Sequence, residues 1–227
     1  MSTATKTAAV IPAFNEAGSI VQVVEGVRKA ADHVIVVDDG SLDQTAERAR
    51  AAGAEVIVHP VNLGKGHAVR TGLARVLEGE FTHALLLDGD MQHLPEEAAA
   101  LVERAVRADA DVVLGQRRFD QDKMPPARYY ANKIGSRVLS WFVGIPVEDT
   151  QCGFRVFRVD ALRGLRLNAT KYEIETEMLI KVRRRGGRVE TVPVTAVYAG
   201  QKSKLRPVPD TTRTCFLAVY YRFLERL

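Results

Sequence analysis

The chain has 227 residues, of which 46% are hydrophobic, and it carries a formal net charge of +4. This length and apolar content suffice for one domain with a substantial core, so we expect a single domain over residues 1–227. The basic residues concentrate after about residue 117. This mild charge favours an anionic small molecule or a membrane surface as partner and excludes nucleic acid, whose grooves usually require a denser basic face.

The cysteines and the apolar runs indicate a compartment. Cys152 and Cys215 stand far apart in the chain, which is typical of a protein from a reducing compartment. The N-terminus lacks a signal-like pattern, and no apolar run approaches the roughly 20 residues needed to cross a bilayer. We expect a cytoplasmic protein whose contact with the cytoplasmic face of a membrane, if any, is peripheral.

Short apolar strands alternate with amphipathic helices through the first half of the chain. Apolar residues recur at helical spacing between the strands, as at Ile20, Val23, Val24 and Val27. The runs that read as strands buried on both faces are TAAVIP, HVIVVDD, EVIVHP, HALLLDGD and DVVLG. The alternation predicts an α/β fold with a Rossmann-like, doubly wound, mostly parallel sheet and flanking helices.

The second half is predicted to contain loops and shorter elements. Residues 116–128 are polar with a Pro-Pro break, which predicts a mobile loop. GFRVFRV and RVETVPVTAVY read as strands, and YEIETEMLIKVRRRGG as a helix between them. Residues 200–209 form a basic loop. Residues 210–227 predict an amphipathic helix that packs on the sheet, packs on a second copy of the chain as a homodimer, or lies on a membrane surface.

Polar clusters follow three of the predicted strands. The first strand runs into PAFNE (residues 12–16), the second into DDGS (residues 38–41) and the fourth into DGD (residues 88–90). Ligands of such sheets bind in the crevice outside the carboxyl ends of the strands. We therefore expect the three clusters to meet at one ligand-binding edge.

The DGD cluster predicts a metal site. Alternate side chains of a strand share a face, so Asp88 and Asp90 point the same way and repel each other unless a cation lies between them. Mg²⁺ or Mn²⁺ fits, because hard divalent cations take oxygen ligands and leave positions for phosphate oxygens; Gln92 offers an amide oxygen. The alternative is a β-turn that closes the strand, since Asp and Gly are common turn formers.

The DDGS and NLGKG segments suggest further contacts with a nucleotide. A carboxylate at the position of Asp39 commonly accepts hydrogen bonds from a ribose or base edge. The alternative is a cap for the helix that begins near Asp43, and both readings hold if Ser41 or Asp43 caps while Asp39 faces the ligand. Residues 62–66 lack the spacing of a phosphate-binding glycine loop and predict a tight turn that opens a helix, with Lys65 near the diphosphate.

The ordered motifs carry a resemblance to a known family. The series VIPAFNE, VVDDGS, NLGKGHAVRTG, LLDGDMQH and DTQCGFRVFR resembles family 2 glycosyltransferases of the GT-A fold, most closely the dolichyl- or polyprenyl-phosphate sugar synthases. The match covers roughly residues 7 to 205. It implies metal-dependent, inverting transfer of a sugar from a nucleotide-diphosphate donor, of the GDP-mannose or UDP-glucose type, to a polyprenyl or dolichyl phosphate.

The resemblance also implies roles for individual residues. Binding of the nucleotide sugar is implied for Pro12, Asn15, Glu16, Asp39 and Asp88, and Lys65 joins them as the lysine expected near the diphosphate. The metal is assigned to Asp88, Asp90 and Gln92. Catalytic roles are implied for Asp90, Asp149, Arg117 and Arg155, and binding of the acceptor phosphate for Arg117, Arg155, Ser203 and Lys204. The loop that holds Ser203 and Lys204 reads GQKSK, one residue longer than the family's pattern.

The acceptor and the reaction class have alternatives. A phosphate acceptor is ionised near neutrality and needs no strong base, whereas a hydroxyl acceptor in polysaccharide or glycolipid synthesis needs one, for which Asp149 or Glu175 are the candidates. The pair Glu148–Asp149 resembles the carboxylates that serve as base in other family 2 enzymes. A sugar-nucleotidyltransferase would show a glycine-rich loop after the first strand, where this chain has PAFNEAGS. A non-catalytic sugar-nucleotide binding module is the remaining alternative.

Overall fold

The computed structural model describes residues 4–117, 136–137, 140–141, 149, 152–197 and 220–221. The elements in chain order are β1 (Thr7–Ala13), α1 (Ile20–Val27), β2 (His33–Asp38), α2 (Thr45–Ala51), β3 (Glu55–Val58), α3 (Lys65–Glu78), β4 (His83–Leu86), a 3-10 turn (Pro95–Glu97), α4 (Ala98–Arg107), β5 (Val112–Arg117), β6 (Arg155–Arg158), α5 (Val159–Leu162), α6 (Ile174–Arg184) and β7 (Val189–Val194). Across these described stretches, no helix is both long enough and apolar enough to span a bilayer.

The strands form one seven-stranded sheet in the order β3-β2-β1-β4-β6-β5-β7. Neighbouring strands are parallel except around β6, which runs antiparallel to both β4 and β5. The predicted mostly parallel α/β sheet with flanking helices is therefore confirmed. Because β6 is reversed, its first residue lies at the edge where the parallel strands end, and Arg155 pairs with Leu86 and Leu114.

Two apolar cores lie on the two faces of the sheet. Alternate residues of β1 serve them: Ala8 and Val10 face α3, α5 and α6, whereas Ala9 and Ile11 face α1, α2 and α4. All four side chains are fully buried. The burial of both faces explains why the central strands read as continuous apolar runs rather than as alternating patterns.

Helix α3 packs closely on β1 because of a glycine. A Cβ atom added at Gly72 would lie 2.3 Å from Val10 Cγ1, well inside van der Waals contact. Any side chain at this position would push α3 away from the sheet. The glycine thus sets how near the start of α3, and with it Lys65, comes to the ligand edge.

Two strand boundaries differ from the sequence expectation. Strand β4 ends at Leu86, so Asp88 and Asp90 lie in the following turn and not at alternating strand positions. The chain changes direction after the strand because Gly89 and Asp90 form a turn and Met91 adopts a left-handed conformation, with φ 58°. Strand β5 continues to Arg117, and therefore includes the first two residues of the segment 116–128 that was predicted as a loop.

Of the amphipathic helix predicted over residues 210–227, the structure describes residues 220–221 alone. Both residues are helical. Tyr221 is 2% exposed and belongs to the core on the α6 side, whereas Tyr220 is 48% exposed. Tyr221 thus packs against the domain.

Candidate active site

The loops after β1, β2 and β4 meet at one edge of the sheet. The strand β1 lies between β2 and β4, and the chain builds the sheet outward from it in both directions. Such a point, where the strand order reverses, leaves a crevice outside the carboxyl ends of the strands. Pro12 lies on β1 at this end, paired with Val37 of β2. The predicted convergence of the three polar clusters is confirmed.

The loop after β1 is hydrogen-bonded to the loop after β2. The Asn15 N–H donates to Ser41 Oγ at 2.8 Å, and the Asn15 side-chain oxygen accepts the Leu42 N–H at 2.9 Å. The Glu16 N–H donates to Thr45 Oγ1 at 2.8 Å. Asn15 itself has φ 54°, a conformation that asparagine tolerates better than most residues. Asn15 and Glu16, both predicted to bind the nucleotide, therefore lie on one rim in which backbone N–H groups bond to side-chain oxygens across the two loops.

The capping roles predicted near α2 are divided differently. Ser41 accepts the Asn15 N–H across the crevice and is not a cap of α2. Asp43 accepts the Thr45 N–H at 3.0 Å through Oδ1 and the Ala17 N–H at 3.1 Å through Oδ2. Asp43 is thus the residue that secures the first turn of α2.

Asp39 fixes the turn that precedes α3. Its side chain is buried, and its oxygens accept the Leu63 N–H at 3.0 Å and the Gly64 N–H at 2.7 Å. His59 Nδ1 lies 2.7 Å from Asp39 Oδ1. These contacts define the start of α3, whose first residue is Lys65. The contact of Asp39 with a ribose or base stays a prediction.

Lys65 forms two short ion pairs at the ligand edge. Its Nζ lies 2.5 Å from Asp88 Oδ1 and 2.5 Å from Glu175 Oε1, and its side chain is 13% exposed. Burial acts to lower the pKa of Lys65, but the two carboxylates outweigh it and hold that pKa above its usual value. Lys65 is therefore charged and couples the loop after β4 to α6.

Gly153 and Arg155 complete this cluster. A Cβ atom at Gly153 would lie 2.5 Å from Asp88 Oδ2 and 3.1 Å from Glu175 Oε1, so the glycine leaves the space that both carboxylates occupy. Arg155 is 1% exposed. Its Nη1 donates to the Glu175 backbone oxygen at 2.7 Å, and its Nη2 lies 3.6 Å from Glu175 Oε2. In the structure this buried guanidinium contacts Glu175, and its predicted contact with the acceptor phosphate stays a prediction.

Asp90 has a different environment from Asp88. Its oxygens accept two hydrogen bonds from Gln92, from the backbone N–H at 3.1 Å and from Nε2 at 2.6 Å. Burial and the charge of Asp88 raise the pKa of Asp90 to about 6. Burial also opposes ionisation of Asp88, but the Lys65 ammonium group holds its pKa below the usual value. The two neighbouring carboxyls are thus shifted in opposite directions.

This arrangement fits a hard divalent cation. The described hydrogen-bond partners of Asp90 lie on neutral Gln92, and no salt bridge of Asp90 is found among the described residues. Asp90, Asp88 and Gln92 all carry side-chain oxygens, which such cations prefer as ligands. Within the described part of the chain, no three His, Cys, Asp or Glu side chains converge as a metal-binding group. A metal ion bound here would therefore need further oxygen ligands from a small molecule bound in the crevice.

Arg117 and Asp149 form a buried bidentate pair. Arg117 Nε donates to Asp149 Oδ2 at 2.5 Å and Nη2 to Oδ1 at 2.9 Å. The side chains are 9% and 0% exposed. The structure thus brings together two of the residues predicted to be catalytic, and their guanidinium and carboxylate groups are hydrogen-bonded to each other.

The chain leaves β7 beside the DGDMQ segment. The Val197 N–H donates to the Gln92 carbonyl oxygen at 3.0 Å, and Ala196 forms an isolated β-bridge with His93. The predicted basic loop 200–209, which contains Ser203 and Lys204, follows directly but lies outside the described residues.

Most of the chain matches a known protein family. Residues 8–166 match the family described as Glycosyl transferase family 2. The chain belongs to glycosyl transferase family 2. The resemblance found in the sequence and the prediction of an enzyme are thereby confirmed.

Two relatives of this family 2 glycosyltransferase are named for their lipid substrates. An undecaprenyl-phosphate mannosyltransferase of Micrococcus luteus is 33% identical over 201 residues, which cover 83% of this chain and 82% of the relative. A UDP-N-acetylglucosamine–dolichyl-phosphate N-acetylglucosaminyltransferase of Methanococcus voltae is 30% identical over 213 residues, which cover 83% and 84%.

Solved structures confirm the GT-A fold. Glucosyl-3-phosphoglycerate synthase from Mycobacterium tuberculosis, in complex with Mn²⁺, UDP-glucose and phosphoglyceric acid, superposes with a TM-score of 0.77. The similarity covers 98% of this chain and 81% of that chain at 21% identity.

Two residues of this family 2 site escaped the sequence analysis. His93 is 4% exposed, and its Nε2 lies 3.6 Å from the Cys152 thiol. Burial and the charge of Arg117 lower the pKa of His93 to about 4, while burial raises the pKa of Cys152 to about 12. A neutral imidazole and a protonated thiol therefore lie beside the aspartates. The position of His93 directly after DGDMQ was the available signal.

Proposed function

We propose that this glycosyltransferase transfers a hexose from a nucleotide-diphosphate sugar, of the GDP-mannose or UDP-glucose type, to a polyprenyl phosphate. The transfer inverts the configuration at the anomeric carbon and uses Mg²⁺ or Mn²⁺. Support comes from the two relatives named for undecaprenyl- and dolichyl-phosphate acceptors. The Mn²⁺ and UDP-glucose bound by the glucosyl-3-phosphoglycerate synthase support the metal and the donor class.

The observation that carries the proposal concerns the candidate bases. A hydroxyl acceptor needs a carboxylate free to take its proton. Asp149 is bonded to two nitrogens of the Arg117 guanidinium. Glu175 lies 2.5 Å from the Lys65 ammonium group and 3.6 Å from the Arg155 guanidinium. Each candidate base is therefore already engaged by a cation, and neither carboxylate stands open to take a proton from an acceptor hydroxyl. A phosphate monoester needs no such base, because its second pKa is about 6.

The chemistry is a single displacement. An oxygen of the acceptor phosphate forms a bond to the anomeric carbon as the bond to the donor diphosphate breaks, and the electron pair leaves with the nucleoside diphosphate. When bound, the metal would supply a Lewis acid that neutralises the departing diphosphate. Asp88, Asp90 and Gln92 are the residues that would hold it, and Lys65 adds a positive charge beside them.

The remaining predicted residues divide between donor and acceptor. We assign Pro12, Asn15, Glu16 and Asp39 to the nucleotide, since they line the rim at the ends of β1 and β2. Ser203 and Lys204 are assigned to the acceptor phosphate, together with Arg117, whose positive charge Asp149 holds in place. Arg155 is assigned a positioning role through Glu175.

A matched pair of acceptors tests the proposal. The purified protein is incubated with Mn²⁺ and radiolabelled GDP-mannose or UDP-glucose, together with either an undecaprenyl phosphate or the corresponding polyprenol. We expect transfer to the phosphate, none to the alcohol, and none in the presence of EDTA. Transfer to the polyprenol or to a glycan hydroxyl would support the hydroxyl-acceptor class instead. Conversion of the donor and added pyrophosphate to a nucleoside triphosphate and a sugar 1-phosphate would indicate a nucleotidyltransferase.

A further inference from the structure

Lys65 forms an ion pair with Asp88, a carboxylate that the proposed metal site needs. One of the two aspartates assigned to the metal is already paired, because Lys65 Nζ lies 2.5 Å from Asp88 Oδ1. A metal ion and an ammonium group that share this oxygen repel each other at short range. Metal binding and the Lys65–Asp88 ion pair therefore oppose one another.

Glu175 gives the ammonium group a second anchor. Its Oε1 lies 2.5 Å from Lys65 Nζ, and its own position is fixed by Arg155, whose Nη1 donates to the Glu175 backbone oxygen at 2.7 Å. The backbone of Lys65 is equally fixed, since Asp39 accepts the N–H of the preceding Gly64 at 2.7 Å. Between these fixed points the lysine side chain is a flexible four-carbon stem. Its Nζ can therefore change partners without movement of the sheet.

We propose that Lys65 is a tethered counter-ion that occupies Asp88 while no donor is bound and transfers to the donor diphosphate when metal and nucleotide bind together. The inference rests on the proposed function, because it takes a divalent metal and a nucleoside diphosphate as the ligands. Glu175 keeps the ammonium group beside the crevice in both states. The lysine thus makes the affinity for metal depend on the nucleotide.

The expected coupling follows from the charges. Without nucleotide, a metal ion must displace Lys65 from Asp88, and within the described residues no third acidic or imidazole side chain joins the two aspartates in a metal-binding group. A diphosphate supplies both the missing oxygens and a new anion for Lys65. By linkage, the nucleotide strengthens metal binding by the same factor by which the metal strengthens nucleotide binding.

Titration of the protein with Mn²⁺ tests the inference, with free Mn²⁺ followed by electron paramagnetic resonance. Without nucleotide, Lys65→Met should bind Mn²⁺ about tenfold more tightly than the unchanged protein, a difference of about 1.4 kcal/mol. The strengthening of Mn²⁺ binding by UDP or GDP should be about tenfold smaller in the variant, because the counter-ion is absent. Lys65→Gln, of similar length and without charge, carries the same expectation if the methionine variant does not fold.

Two control variants make the test specific. Lys171→Met removes an equal charge from an exposed lysine and should leave Mn²⁺ binding unchanged. Lys65→Arg keeps the charge and should bind Mn²⁺ as weakly as the unchanged protein. Equal or weaker Mn²⁺ binding by Lys65→Met and Lys65→Gln would overturn the counter-ion role alone. Failure of the unchanged protein to bind Mn²⁺ even with UDP and GDP would overturn the proposed metal-dependent function as well.

Discussion

Asp88 and Asp90 stand two residues apart but have different electrostatic surroundings. Lys65 compensates the charge of Asp88, whereas Asp90 receives hydrogen bonds from neutral Gln92. The Lys65 ammonium group holds the pKa of Asp88 below its usual value, whereas burial and the charge of Asp88 raise the pKa of Asp90 to about 6. Neighbouring carboxyls with separated pKa values commonly have separate roles. Asp90 is therefore the carboxylate with most to gain from an added cation.

Replacement of Asp90 by asparagine separates a role in the reaction from a role in folding. Asp90→Asn should lower the turnover rate at least about 100-fold, since a charged ligand of the leaving-group metal is lost. The melting temperature should stay equal or rise, because the replaced carboxylate is a partly buried anion beside another. Turnover and thermal unfolding are measured together. Asp160→Asn, at the opposite edge of the sheet, is the control, and full turnover by Asp90→Asn would remove this residue from the metal site.

The Arg117–Asp149 pair predicts a stability effect. Asp149→Asn removes the charge that the buried guanidinium contacts through two hydrogen bonds and should lower the free energy of unfolding by about 3 kcal/mol. Urea unfolding measures this loss, and adding Arg117→Gln should recover part of it, because the buried positive charge is then removed as well. Asp109→Asn breaks an ion pair of an aspartate whose side chain is 84% exposed and should not shift the midpoint. Equal midpoints for Asp149→Asn and Asp109→Asn would contradict the buried pair.

Sequence analysis found the residues of this site that lie in short motifs. Asp88, Asp90 and Gln92 are recognisable because their spacing is local. The Lys65–Glu175 ion pair was not predicted, since its members are far apart in the chain and meet only when α3 and α6 pack on the same face. For the same reason the sequence left Glu175 as a candidate base, and only its surroundings show that cations hold it.

At the scale of elements, α3 owes its position to the missing side chain at Gly72. Gly72→Ala would place a Cβ atom 2.3 Å from Val10 Cγ1 and should lower the free energy of unfolding by about 1 to 3 kcal/mol. Urea unfolding measures the loss, and the further change Val10→Ala should reduce it. Gly18→Ala meets no atom within 4 Å and serves as control. Equal stability of the two alanine variants would show that α3 does not pack this tightly.

Helix α6 carries buried charges that hold neighbouring segments. The fully buried Glu177 accepts the N–H groups of Asn168, at 2.9 Å, and Ala169, at 2.8 Å, and the hydroxyl of Tyr221. Lys181 Nζ lies 2.9 Å from Glu177 Oε1. Burial opposes ionisation, but these donors outweigh it and hold the pKa of Glu177 below its usual value. A single carboxylate thus accepts hydrogen bonds both from the segment before α6 and from Tyr221 near the C-terminus.

This carboxylate predicts a pH-dependent contribution to stability. Because the pKa of Glu177 is lowered on folding, its contribution is complete above its usual pKa of 4.5 and is lost as the pH falls through the folded value. Glu177→Gln should therefore cost about 2 to 3 kcal/mol at pH 7 and progressively less below pH 4.5. Urea unfolding across this range gives the difference. The exposed Glu103→Gln should show no such trend, and a loss for Glu177→Gln that is constant with pH would contradict the prediction.

The sequence predicted elements better than their ends. Apolar runs indicated β1 to β5 correctly. For the central strands this is because burial on both faces leaves no room for polar residues, whereas the edge strand β3 is only partly buried. The run through β4 was extended to Asp90, although the strand ends at Leu86, because the periodicity of side chains does not reveal a turn that follows directly. Glu177 and Lys181 within α6 gave no clear signal, since charged residues in a helix are usually exposed.

At the scale of the whole molecule, the strand order was beyond the sequence. The alternation of strands and helices predicted a mostly parallel sheet, and that class is confirmed. The insertion of antiparallel β6 between β4 and β5 depends on pairing between distant segments, which no local pattern encodes. Only the packing of the complete chain decides it.

The charge of the molecule and its single tryptophan allow a test of membrane contact. The net charge is +4, and Trp141, the chain's one tryptophan, is 70% exposed. If the proposed polyprenyl acceptor brings the protein to a bilayer, anionic vesicles should shift the tryptophan emission to shorter wavelength. About 0.5 M salt should weaken the shift by screening. Zwitterionic vesicles are the control, and an unchanged emission spectrum with both kinds of vesicle would contradict peripheral binding.

The reversal of β6 also bears on how such enzymes diversify. Strand β5 ends and strand β6 begins at the same edge, as neighbours in the sheet, with Leu114 opposite Arg155. The polypeptide between them therefore departs from and returns to adjacent points of the scaffold. A segment anchored in this way can be exchanged for one of another length or composition at little cost in loop-closure entropy. If the acceptor contacts proposed for this part of the chain are correct, they can be altered without changing the strands that carry the rim at the ends of β1 and β2.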